Sequence, residues 1–112
     1  MFDNDDTGKR WSNSVTNKQF EILCVSQFTL YCTLKGNKPD FHKSMEANKS
    51  KILYDSLLEK LKQNYLPEKI QNGVFGALME VNIVNDGPVT INIESTNNQQ
   101  QAKNNSVDLN EQ

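Results

Sequence analysis

The sequence predicts one small mixed α/β (α+β) domain. Three observations carry this: apolar residues alternate in strand-like runs near both ends of the first 94 residues, one central stretch switches to a helical period, and turn-forming residues separate the runs. A length of 112 residues suits one domain and hardly two, and the formal net charge is only −2. Apolar content is uneven. From Ser95 to Gln112 only Ala102, Val107 and Leu109 are apolar, and nine of the eighteen positions are Asn or Gln. Residues 1–94 are therefore expected to form the domain and 95–112 a disordered Asn/Gln-rich tail. No apolar run approaches the roughly 18 to 20 residues of a membrane span, and the acidic start Met-Phe-Asp-Asn-Asp-Asp is unlike a secretory signal.

Taken in order, Phe2 to Asn13 reads as an acidic turn leading into Trp11, because Asp3, Asn4, Asp5, Asp6 and Thr7 favour Asx-type turns and Gly8 tolerates a positive φ. The run Phe20 to Tyr31 places Phe20, Ile22, Cys24, Phe28 and Leu30 on one face and Leu23, Val25 and Tyr31 on the other. Apolar residues on both faces predict a central strand covered on both sides. Lys35 to Lys43 reads as a loop from its Gly, Asn and Pro content. From Ser44 to about Tyr65 the period is helical: Leu53, Leu57, Leu61 and Tyr65 lie four apart, with Tyr54 and Leu58 beside them, and the helix stops before Pro67. Ala77, Met79, Val81 and Ile83, then Val89, Ile91 and Ile93, alternate with polar neighbours and predict two strands joined through Asn85-Asp86-Gly87-Pro88. One helix covers one face of such a sheet, so the first strand asks for a second covering element, from another chain or from further residues of this one.

Chemistry is sparse. Cys24 and Cys32 lie eight apart in one run, beyond disulfide reach at about 3.3 Å per residue, and read as small buried hydrophobes of a reduced, cytosolic protein. A single histidine, His42, cannot assemble a zinc-type cluster, so no metal and no cofactor is expected. His42 sits in a Lys-rich loop, where a solvated surface role competes with catalysis, and Asp40, Glu46 and Glu80 become paired carboxylates only if folding brings them together. Gln27 is costly in a doubly covered strand unless its amide finds partners, and that cost is a pointer to a site, while Ser26 and Thr29 read as strand fillers near a sheet end. Asn85 to Thr90 reads as a tight turn in which Gly87 supplies the unusual backbone angle; a cis bond before Pro88, with a prior of about 5%, would instead present rigid backbone acceptors. Residues 35–69 carry net +3 and the remainder −5, so a cationic loop could hold phosphates locally, or could be a solvated face, while duplex DNA binding by the whole body is not expected.

Ser26-Gln-Phe-Thr-Leu30 and Asn85-Asp-Gly-Pro-Val-Thr90 stand in that order. Between them lie Lys35-Gly-Asn-Lys-Pro-Asp-Phe41, a helix and Gly73-Val-Phe-Gly76. Together they resemble the D-aminoacyl-tRNA deacylase family, formerly D-tyrosyl-tRNA deacylases, over about residues 2–94, and eukaryotic members most. The resemblance implies a mixed or antiparallel, barrel-like sheet packed with an amphipathic helix. It also implies an N-terminal third of the family, with a strand, a hairpin and a helix, that is absent from this sequence. The implied activity is hydrolysis of the ester of D-aminoacyl-tRNA and of mischarged glycyl-tRNA, a chiral proofreading of translation in the cytoplasm by a homodimer. In that reading Gly87 and Pro88, in cis, form a cross-subunit chirality filter. Ser26, Gln27, Phe28 and Thr29 line the pocket for the terminal adenosine and the ester. Thr90 offers a hydroxyl near the ester. A threonine with no base beside it lacks activation, so assistance from the vicinal 2′-hydroxyl of the ribose is the simpler chemistry. A non-catalytic nucleic-acid- or protein-binding module that keeps a truncated form of the fold is the alternative.

Overall fold

The computed structural model describes residues 1–95 and divides the chain into two units, Met1–Glu80 and Val81–Gln112. In the first unit the elements are α1 (Val15–Lys18), β1 (Ile22–Cys24), β2 (Thr33–Lys35), β3 (Lys38–Asp40), α2 (Ala47–Asn64) and β4 (Ile70–Asn72), with single 3₁₀ turns at Phe28–Leu30 and Pro67–Lys69. Strands β1 and β4 pair in parallel, Ile22 opposite Ile70 and Cys24 opposite Asn72, and β2 and β3 form a separate antiparallel hairpin. The mixed α/β class is as expected; the strands lie in two pairs among the described residues.

The acidic turn forms as the sequence suggests. Asn4 Oδ1 accepts from the amides of Asp6 (2.9 Å) and Thr7 (3.0 Å), Gly8 takes φ +71°, and Phe2 and Asn13 close the turn as an antiparallel bridge. Ser14 and Asn17 then start α1 with reciprocal side-chain to backbone bonds. The long helix begins three residues later than the periodicity suggests and ends before Pro67. Two tyrosines fix it along β1: Tyr54 Oη donates to the carbonyl of Cys24 at 2.9 Å, and Tyr65 Oη to that of Phe20 at 2.9 Å. Tyr65 is the residue that caps α2, eleven positions and so close to three whole helical turns past Tyr54, and both hydroxyls bond carbonyls of the 20–24 segment.

Four expectations need correction. The strand foreseen over 20–31 is cut to Ile22–Cys24, because its partner β4 runs only to Asn72 before Gly73 turns away, and Phe28–Leu30 curls into a 3₁₀ turn. Its second face is open: Leu23 is 63% exposed. The foreseen loop at 35–43 is the β2–β3 hairpin, turning on Gly36 (φ +66°) and Asn37. Glycine with positive φ at the first central position is the pattern of a type II′ turn, whose twist suits a two-residue hairpin. Residues 77–83 and 89–93 form no strand, since no neighbouring strand offers them a ladder among the described residues. Cys32, expected buried, is exposed. The expected tail lies, apart from Ser95, outside the described residues.

Burial follows from this shortage of cover. Among the described residues only Leu58 of α2 and Ile70 of β4 are buried, while Ile52, Leu53 and Leu57 are exposed. The helix thus presents two apolar stripes and seats one. Among the described residues no helix is long and apolar enough to cross a membrane.

Candidate functional site

The Ser26–Leu30 segment leaves β1 at a firmly held point. The carbonyl of Cys24 accepts both Gly73 N–H (2.9 Å) and Tyr54 Oη (2.9 Å), so both its lone pairs are engaged within the protein. Two residues on, half-buried Ser26 accepts from Gly76 N–H at 3.3 Å through Oγ. Gly73-Val-Phe-Gly76 therefore clamps the segment from below. Gly73 itself is close-packed: a Cβ there would meet Met79 Sδ at 3.0 Å, so the Met79 side chain would have to shift by a few tenths of an ångström.

Beyond Ser26 the chain winds through its 3₁₀ turn, with Leu30 N–H on Gln27 C=O (3.4 Å) and Tyr31 N–H on Phe28 C=O (3.2 Å). The amides of Gln27, Phe28 and Thr29 donate to no protein group among the described residues. The three residues that carry them are exposed. Gln27 Nε2 donates to Thr29 Oγ1 at 2.6 Å; both side chains are exposed, so the amide expected to be buried at a cost is hydrated instead. Phe28, 64% exposed, meets Phe41 edge-on with ring centroids 5.1 Å apart, and Ser44 Oγ reaches the carbonyls of Phe28 and Tyr31 at 3.1 Å each. The end of the β2–β3 hairpin is thereby tied to the segment.

On that hairpin, Asp40 is engaged by His42. His42 N–H donates to Oδ1 (3.1 Å) and Nδ1 stands 2.6 Å from Oδ2. The backbone and ring hydrogen bonds from His42 hold the Asp40 carboxyl below the ordinary carboxylate range. Burial pushes the half-buried Cys24 thiol up, away from thiolate chemistry, and burial raises the Tyr54 phenol, with the Cys24 charge adding to it.

In the second unit Asn85, Asp86, Gly87, Pro88 and Thr90 are all exposed, and Gly87 takes φ +67°, the angle its turn requires. No hydrogen bond engages the Thr90 hydroxyl among the described residues, so nothing there activates it as a nucleophile. The cis Gly87–Pro88 bond implied by the resemblance is not found: every described peptide bond is trans. Trans is the X–Pro preference by about 0.5–1 kcal/mol, and exposed Pro88 has no burial in this unit to reverse it. Ser26, Gln27, Phe28 and Thr29 are thus gathered in one unit, with Gly87, Pro88 and Thr90 in the other.

Sequence reasoning missed two features. The Gly36-Asn37 pair between Leu34-Lys35 and Lys38-Pro39 is a two-residue hairpin signal, outweighed by the loop-like composition around it. Asp3, Arg10 and Trp11 line an open concavity of about 500 Å³, for which an isolated Trp beside an Arg was the available sign.

A turn clamped by hydrogen bonds at Cys24 and Ser26 stands in the first unit, and an exposed glycine-proline loop in the second. A family profile described as D-Tyr-tRNA(Tyr) deacylase matches residues 1–94, and the chain belongs to that family. It is 60% identical over 91 residues to D-aminoacyl-tRNA deacylase 1 of Homo sapiens, covering 81% of this chain and 44% of that protein. It is 55% identical over 91 residues to D-aminoacyl-tRNA deacylase of Drosophila melanogaster, covering 81% and 58%. Among solved structures it resembles the c-Myc DNA Unwinding Element Binding Protein, at 58% identity and TM-score 0.78, over 85% of this chain and 63% of that one. The chain spans about half the length of the curated relatives it matches.

Proposed function

We propose that this protein hydrolyses the ester bond of D-aminoacyl-tRNA, and of mischarged glycyl-tRNA, releasing the free amino acid and tRNA as chiral proofreading of translation in the cytoplasm. The observation that carries the reading is the clamped Ser26–Leu30 turn with three free amides, within a chain whose family profile spans residues 1–94. Domain 1–94 is read as the deacylase domain. Phe28 offers an aromatic face to the terminal adenine, and Ser26, Gln27 and Thr29 line the ester's approach. The free amides polarise the ester carbonyl for attack by water, and the vicinal ribose 2′-hydroxyl assists departure of the 3′-oxygen, which takes up the proton lost by the water and leaves as the tRNA 3′-hydroxyl. A homodimer completes the pocket: Gly87 and Pro88 of one subunit offer backbone carbonyls to the D-residue's amino group in the other, and backbone recognition leaves the side chain unread.

Incubation of the chain with D-Tyr-tRNA and L-Tyr-tRNA tests this, with release from the D form alone expected. Equal release from both, or from neither in a sample shown to be dimeric, would overturn it. Thr90→Ala separates the chemistries: activity within a few fold of wild type fits assistance from the RNA, and loss of most activity with binding intact would make Thr90 the nucleophile. A second reading, a non-catalytic nucleic-acid-binding module, draws on the name of the 58% identical structural relative. Binding to duplex DNA without hydrolysis of either tRNA would favour it.

A further inference from the structure

We infer that the tip of the β2–β3 hairpin is a phosphate clamp for the acceptor end of the tRNA, formed by Lys35 and Lys38. The inference rests on the proposed deacylase reading. Lys35 and Lys38 are direct cross-strand partners flanking the two-residue turn. Opposed side chains at such a position stand roughly 5 Å apart at Cβ, and like charges there destabilise a hairpin. A sheet edge free of other demands would place opposite charges at this pair, so a doubly cationic tip fits a polyanion held between the two ammonium groups.

Neutralisation within the protein is lacking. Lys35, Lys38 and Lys43 are exposed, and none takes part in an ion pair among the described residues, whose pairs are Lys18–Asp5, His42–Asp40 and Lys51–Asp55. By strand periodicity the one carboxylate on the same hairpin face is Asp40, opposite Thr33, and it is occupied by His42. Net basicity of the protein is no explanation, since the whole chain carries −2.

Position supplies the partner. Phe41, one residue past β3, packs on Phe28, and Ser44 bonds the Phe28 carbonyl, so the hairpin is fixed to the segment read as the adenosine pocket. Lys38 lies three residues from Phe41, about 10 Å along an extended chain. A nucleic-acid strand advances roughly 3.4 Å per phosphate, which puts the clamp within a few nucleotides of the terminal adenosine. Base identity is not read by such contacts; they set register and strengthen binding.

The test uses the full chain and two probes: an acceptor-stem minihelix ending in the single-stranded 3′ end, and D-tyrosyl-adenosine as its non-hydrolysable 3′-amide, which has no phosphate. Losing two phosphate contacts flattens the slope of log affinity against log salt by about 1.4–1.8, so Lys35→Ala/Lys38→Ala should lose about 7–12-fold less minihelix affinity than wild type between 50 and 200 mM salt. Its affinity for the amide should stay at the wild-type value, and Lys35→Arg/Lys38→Arg should keep the wild-type slope. Lys60→Ala/Lys62→Ala on α2 removes the same charge elsewhere and should leave the slope unchanged. An unchanged slope in the hairpin variant, an equal change in the α2 variant, a parallel loss of amide binding, or equal competition by duplex DNA of the same length would overturn the clamp. Failure of the wild-type chain to bind the amide at all would instead overturn the deacylase reading beneath it, and the clamp with it.

Discussion

Truncating Leu58 should cost far more than truncating Leu57, its neighbour in sequence on the same helix. Leu58 is 7% exposed and shares the buried interior with Ile70 at 6%, whereas Leu57 is 50% exposed. Leu58→Ala deletes three carbons at about 0.8 kcal/mol each, near 2.4 kcal/mol. A residual cavity adds about 24 cal/mol per Å³, but half-exposed neighbours can close over most of it, so the total should fall near 3 kcal/mol. Leu57→Ala loses about half of the transfer contribution, near 1 kcal/mol, and regains a little from alanine's helix preference. Urea unfolding followed by circular dichroism at 222 nm reads both, with the Leu58 variant's midpoint displaced about threefold more at unchanged m. Equal losses would refute the reasoning, because Leu57 would then have to be covered in solution.

Other outcomes follow from the same contacts. Tyr54→Phe should cost only about 0.5–1.5 kcal/mol in the same assay, since Gly73 N–H still satisfies the Cys24 carbonyl; a loss of several kcal/mol would mean that the hydroxyl fixes more than this carbonyl. A thiol reagent at neutral pH should modify exposed Cys32 first, and Cys24 far more slowly because burial raises its thiol above the usual value; equal rates followed by mass spectrometry would contradict the burial. Asp40 is depressed in the folded chain, so its link to His42 stabilises the hairpin above the unfolded carboxyl value of about 3.9 and that support fades as pH falls through the lower folded value. Carbon-detected NMR titration of Asp40 should show this, and His42→Ala should return it toward the ordinary range; an unmoved titration would dismiss the pair.

The helix was legible because an 18-residue amphipathic period is sustained and Pro67 ends it. The acidic turn was legible for local reasons too: Asn4 and Gly8 act on their own backbone. Strand reading failed where local pattern and available partners parted. Ala77 to Ile83 and Val89 to Ile93 alternate well, yet alternation describes how a strand would bury a face and supplies no neighbour to bond. The same gap explains Gln27, reckoned costly in a covered strand and found hydrated where the strand has already ended. At the candidate site the motif residues could be named in sequence. Their clamp by Gly73, Gly76 and Tyr54 could not, since it depends on pairings across 30 to 50 residues.

That clamp has a consequence for the growing chain. The Ser26–Leu30 turn takes its shape from a strand and a glycine turn made some fifty residues later, so its geometry is unavailable until Gly76 has been synthesised and the intervening hairpin and helix have closed the loop. Closing a longer loop adds only about 0.6 kcal/mol of entropy for each doubling of its length, but the wait is long. A nascent polypeptide therefore cannot display a finished Ser26–Leu30 turn before its supporting layer exists. Insertions within the loop should be tolerated better than bulky side chains at Gly73, which would have to displace the end of Met79.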